Sequence, residues 1–149
     1  MNRRKPPEGF QDDNSGITEF GNAESWYQLV GPLFHAGDNQ PGKVRMGFYS
    51  EPRYISSMNR VHGGMMSSFM DYVLFSTARS QWGAAGLATV SLNVSFVSAC
   101  PPGVWVEGSG EVIRAGNTLA FVRGEARTDD KVHVHATGTF RKLQPSDSP

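Results

Sequence analysis

Asp71 and the pair Gly63-Gly64 are the residues of this chain whose types and spacing best suit chemistry. Asp71 sits among Phe69, Met70, Tyr72 and Val73 and is the one charge between Met65 and Ala78. Aspartate is a poor helix former and is almost never buried without a partner. Its position therefore marks either a functional carboxylate or a polar stripe, shared with Ser67 and Ser68, that faces solvent or caps a neighbouring loop. A carboxylate in such a setting can attack an electrophilic carbon or take a proton from water. The glycine pair supplies the complementary half. Backbone N–H groups at a helix start point outward, the macrodipole favours developing negative charge there, and the missing side chains let a carbonyl approach. Together they make an oxyanion-hole arrangement. Asp71 lies eight positions after Gly63 (71 − 63). Along one helix that is ~12 Å at 1.5 Å per residue, so no single reacting group touches both. If both act on one substrate, they come from two chains whose helices run antiparallel, and a two-fold interface then creates two identical sites.

The elements that must position these residues are legible around them. After Gly63-Gly64, the run from Met65 to Trp82 is apolar over most of its helical circumference, which predicts a buried helix. Four strands with period-two patterning follow. Val90, Leu92, Val94 and Phe96 alternate with Ser91, Asn93 and Ser95. Of the other three strands, the first carries Val104, Val106, Gly108, Gly110 and Val112 on one face, the second Ala120, Val122, Gly124 and Ala126, and the third Val132, Val134, Ala136, Gly138 and Phe140. The connections at Pro101-Pro102-Gly103, Ala115-Gly116-Asn117 and Asp129-Asp130 are short enough for antiparallel hairpins. Gly108, Gly110, Ala120, Ala126, Ala136 and Gly138 make one sheet face small, which marks close approach of another backbone. The expectation is an α+β domain in which one antiparallel sheet wraps a single long central helix. A short helix is expected within Ala23 to Phe34, ended by Gly31-Pro32, and a strand within Gly42 to Tyr54.

Composition bounds the function class. The 149 residues hold 14 Lys plus Arg against 14 Asp plus Glu, for zero net charge, which argues against a nucleic-acid partner. The single cysteine, Cys100, cannot form an internal disulfide, and with no adjacent histidine it reads as structural. The longest apolar-leaning stretch, Met65 to Phe75, falls far short of the ~20 residues a membrane helix requires, and no apolar segment follows Arg3, Arg4 and Lys5. No membrane insertion and a cytoplasmic location are the expectations. His133 and His135 lie two apart with no third ligand, so no metal site is expected, nor any cofactor; both read as surface histidines. Residues 1–18 and 144–149 read as flexible tails around a domain of residues 19–143.

The run Asn59-Arg60-Val61-His62-Gly63-Gly64-Met65-Met66-Ser67-Ser68-Phe69-Met70-Asp71 resembles the HGG…D signature of hotdog-fold thioesterases of the phenylacetate-degradation (PaaI-like) type. Thr89 to Phe96 is similar to their following strand, Arg114 to Val122 to their "GxTLAF" hairpin, and His135 to Phe140 to their closing strand. The likeness spans roughly Gly42 to Leu143 with these elements in order. It implies a hotdog fold, an acyl-CoA substrate, and a homo-oligomer, either a dimer or a tetramer. It also implies hydrolysis of the CoA thioester to free acid and CoA. Gly63 would donate its N–H to the thioester carbonyl. Asp71 of the facing subunit would attack directly or activate water, Thr89 would hold that water or carboxylate, and His62 would help shape the site. Gly64, Asn59 and Ser68 are the substrate-binding candidates. Where the family often carries an Asn about six residues before the His, this chain has Ser56, and Asn59 is the nearest Asn.

Two other functions fit the same fold, because a fold does not fix a function. One is an acyl-CoA binder without turnover. The other is a hydratase or dehydratase, which depends on an active-site His with an acidic or amide partner, a constellation this sequence does not offer.

Overall fold

The computed structural model describes residues 4–12, 26–83 and 86–144. In chain order the elements are β1 (Phe10–Asp12), α1 (Trp26–Val30), β2 (Phe34–Ala36), β3 (Lys43–Tyr49), a 3-10 turn (Pro52–Tyr54), α2 (Gly63–Trp82), β4 (Leu87–Phe96), β5 (Trp105–Ala115), β6 (Leu119–Thr128) and β7 (Lys131–Lys142). The strands form one seven-stranded sheet in the order β1-β2-β3-β5-β6-β7-β4, antiparallel at every pairing.

The sheet wraps α2. Met66, Phe69, Met70, Val73, Leu74 and Ala78 of the helix are at most 2% exposed, and they meet Val106, Val122, Val134 and Phe140 of the sheet. Each such side chain contributes roughly 1.5–3 kcal/mol by leaving water. The small residues of the inner face now have a cause. A Cβ on Gly108 would lie 2.7 Å from the Phe69 ring, inside the contact distance of carbon atoms, so helix and sheet reach this separation only because Gly108 has no side chain. The helix begins at an N-cap, His62, and stops at Gly83, whose φ of 64° is the left-handed conformation glycine adopts at little cost.

Several expectations are revised. Phe10–Asp12, within the segment read as a tail, pairs with β2; residues 13–18 and 145–149 lie outside the described residues. Of the helix expected in Ala23 to Phe34, α1 keeps Trp26–Val30, and Phe34 already belongs to β2; residues 23–25 are outside the described set. The connection at Pro101-Pro102-Gly103 is not a hairpin. β4 pairs with β7 and β5 with β3 and β6, so residues 97–104 cross from one flank of the wrapped helix to the other. A short connection limits how far apart two strand ends lie, not whether those strands pair.

The patterning of β4 also changes. Thr89 opposes Phe140 and Ser91 opposes Thr139, so Val90 is an extra residue, a β-bulge. Strict alternation would put Thr89 on the face of Ser91. The bulge instead returns it to the face of Leu92, Val94 and Phe96, towards α2, and leaves Val90 59% exposed. His133 is likewise no surface residue: it is 1% exposed, covered by the crossing connection. Among the described residues, no helix is long and apolar enough to cross a membrane.

Candidate active site

Buried positions of α2 leave one half-covered stripe along the helix, formed by Ser67, Ser68, Asp71, Tyr72, Phe75, Ser76 and Arg79. Residues three or four apart stack on one side of a helix, so Ser68 and Phe75 flank Asp71 along its stripe. Trp26 of α1 packs on Tyr72 with ring centroids 5.6 Å apart, and Tyr72 stacks on Phe75 at 6.4 Å. The carboxylate thus stands in a strip of aromatic rings and serine hydroxyls rather than on an open charged surface.

One side chain holds it. Thr89 Oγ1 donates to Asp71 Oδ1 at 3.0 Å, an alignment that the Val90 bulge produces. Burial raises the Asp71 pKa above the ordinary carboxylate value, and the Thr89 hydrogen bond pulls partly the other way. No Lys or Arg forms an ion pair with Asp71 among the described residues. A carboxylate so placed is more basic than one in water.

At the other end of the stripe, the helix start is held from both sides. His62 N–H donates to Tyr54 O at 2.8 Å and Val61 N–H to Cys100 O at 2.9 Å. His62 Nδ1 accepts from Gly64 N–H at 2.9 Å and caps the helix, and Met66 N–H donates to His62 O at 3.1 Å. Gly63 N–H, in the first turn where no intrahelical acceptor exists, has no acceptor among the described residues. Of the glycine pair, it is the amide without an acceptor there, since Gly64 N–H is taken by His62 Nδ1. The Phe96 ring lies beside Gly63, 3.2 Å from where a Cβ would stand.

A family model described as "Thioesterase superfamily" matches residues 58–134, just over half of the chain, including the glycine pair, Asp71 and Thr89. The chain belongs to the thioesterase superfamily. A Pseudomonas aeruginosa protein named "Putative esterase PA0474" is 25% identical to it over 135 residues, spanning 90% of this chain and 95% of that one. Among solved structures, the Escherichia coli PaaI protein from the phenylacetic acid degradation operon superposes with a TM-score of 0.75 at 14% identity, over 88% of this chain and 91% of the other. The protein smu.793 from Streptococcus mutans, solved bound to acetyl CoA, superposes with a TM-score of 0.65 at 15% identity, over 70% and 83%. At those identities the likeness shows the fold, which is the hotdog arrangement of a sheet around one long helix.

Within this thioesterase-superfamily chain, the site residues read from sequence fall into two groups. Asp71, Thr89 and Ser68 gather at the middle of α2, and Gly63, Gly64 and His62 at its start. Asn59 is exposed at φ 56° in the turn closed by Ser56 N–H on Arg60 O at 2.8 Å, where it shapes the approach to the helix. The contact of Thr89 with Asp71 depends on a bulge that no local residue type announces. Phe96 beside Gly63 is a neighbour that residue spacing alone does not reveal. No group of three or more His, Cys, Asp or Glu suited to a metal ion occurs among the described residues.

Proposed function

We propose that this protein hydrolyses acyl-CoA thioesters as a homo-oligomer, in sites built by two chains. The observation that carries the reading is the half-buried Asp71, its basicity raised and its Oδ1 held by Thr89, on the same helix as the unengaged Gly63 N–H and ~12 Å from it.

The free edge of β4 gives the pairing a geometry. Among the described residues, β4 ends the sheet and bonds to β7 alone. Its inner face runs from Thr89, beside Asp71, to Phe96, beside Gly63. If two copies joined their β4 edges antiparallel about a two-fold axis, the Thr89 end of one would lie opposite the Phe96 end of the other. Asp71 of each copy would then approach Gly63 of the other. Val90, Phe96 and Val97, all more than half exposed, would be covered by the same contact, as an open sheet edge normally is.

In such a site Gly63 N–H and the helix dipole stabilise the oxyanion as the carbonyl carbon becomes tetrahedral. Asp71 either takes a proton from the attacking water or forms the bond to the carbonyl carbon itself. The C–S bond then breaks and the CoA sulfur leaves as a thiolate, which is reprotonated. In the second route the mixed anhydride is hydrolysed by water. The acyl-CoA class is supported by the superfamily and by the acetyl CoA bound to the Streptococcus mutans neighbour.

Asp71→Asn tests the reading. Thiol release from a set of short, medium, long and aryl acyl-CoAs should fall by roughly 10²–10⁴-fold, with circular dichroism and oligomeric mass unchanged. Equal rates for variant and wild type would overturn the assignment. Tight acyl-CoA binding with no thiol release from the wild type would turn it into a binder.

A further inference from the structure

We infer that His133 is a positioning residue for the thioester site: through Ser98 it holds the crossing connection that sets the start of α2. This rests on the proposed function only for its effect on catalysis.

His133 lies on β7, remote in sequence from Gly63, and is 1% exposed. Its backbone oxygen accepts from Val97 N–H at 2.8 Å and from Ser98 N–H at 3.3 Å. The hydrogen bonds also fix the state of its ring. Ser98 Oγ spends its single proton on Val132 O at 2.7 Å, so at 2.9 Å from His133 Nδ1 it can only accept. Nδ1 therefore carries a proton. Thr128 Oγ1, 2.7 Å from Nε2, completes a neutral ring by donating to it. Both ring nitrogens are satisfied without a charge.

Two residues after Ser98, Cys100 O accepts Val61 N–H at 2.9 Å, and Val61 is two residues before Gly63. The strut thus runs from β7 through the Ser98 hydroxyl to the amide just ahead of the helix cap. Phe96, whose ring lies beside Gly63, leads into the same connection. Burial is the main cause that lowers the His133 pKa, and Lys131 on its own strand adds to it, while backbone hydrogen bonds of Ser98 and Ala99 pull the other way. The connection over it, Val97 to Cys100, carries no carboxylate, and its one titratable group, the Cys100 thiol, is pushed up to about 11 by burial.

The test uses the full chain with amide hydrogen exchange, corrected for intrinsic rates, beside kcat and KM. His133→Leu removes both ring nitrogens, Ser98→Ala removes one hydroxyl with little risk to folding, and His133→Asn keeps a donor near the place of Nδ1. Exchange at Val61 should quicken roughly 10-fold in His133→Leu and Ser98→Ala, the effect of one lost hydrogen bond. kcat should fall by a similar factor with KM within about two-fold, and His133→Asn should restore both. Unchanged Val61 exchange in both Leu and Ala variants, or equal losses in the Asn and Leu variants, would overturn the inference. If exchange responds as expected while the wild type releases no thiol, the strut stands and the thioesterase reading fails.

Discussion

Asp71 is a carboxylate whose surroundings oppose its charge, and that opposition has a thermodynamic sign. Its folded pKa is raised, mainly by burial. Folding therefore favours the protonated form, and the associated stability is fully present below the unfolded-state value near 3.8 and lost as pH rises through the folded one. At neutral pH the fold carries an ionised group that it would hold better neutral. An amide in its place removes that penalty. Thermal unfolding of Asp71→Asn should show a higher Tm than wild type at pH 7.5, with the difference shrinking towards pH 4. A lower Tm for the variant at pH 7.5 would mean that the Thr89 hydrogen bond outweighs burial. If Asp71 reacts as the carboxylate, as proposed, the activity profile follows from the same shift: rate should fall as pH drops through a value above that of an ordinary aspartate.

Helix α2 contributes through its ends as much as through its core. Its first turn assigns one amide to the His62 ring and leaves Gly63 N–H available, and that division of labour can be probed without breaking the helix. Proline is well tolerated at the first helical position, where its missing N–H had no intrahelical partner. His62, at φ −63° and ψ 137°, already has the extended conformation that precedes proline. The Cβ would meet only the tip of the half-exposed Phe96 ring. Gly63→Pro should therefore keep the helix while deleting the proposed oxyanion donor. We expect kcat to drop by roughly 10²–10³-fold, with far-ultraviolet circular dichroism unchanged; full activity would remove Gly63 from the mechanism. Strand β4 makes the complementary contribution, since its bulge at Val90 turns Thr89 towards the carboxylate.

At the scale of the assembly, a site divided between chains predicts complementation. A chain with Asp71→Asn retains Gly63, and a chain with Gly63→Pro retains Asp71. Mixed 1:1 and allowed to exchange subunits, half the dimers would be hybrid, each with one sound site of two. Two inactive proteins should then recover about a quarter of wild-type activity. Activity no higher than that of the separate variants, with exchange verified by native mass spectrometry, would place both groups of each site in one chain. The wrapped sheet explains why the helix alone cannot do this: the spacing of Gly63 and Asp71 along α2 is rigid, whereas the half-covered stripe and the β4 edge are open to a second copy.

Much of this protein was legible from residue order. The apolar circumference from Met65 to Trp82 demanded a buried helix, the small residues Gly108 and Gly138 demanded close approach by it, and a lone Asp71 among aromatics demanded an explanation. These are local consequences of periodicity, volume and charge, which each segment carries with it. What only the tertiary structure decided was pairing and register. Residues 97–104 look like a hairpin and are a crossing, because strand partners are chosen by the whole sheet. Thr89 belongs by alternation with Ser91, and a single extra residue puts it against Asp71. His133 reads as one of two surface histidines and is buried, because the segment that covers it is distant in sequence and was brought there by the wrapping of the sheet.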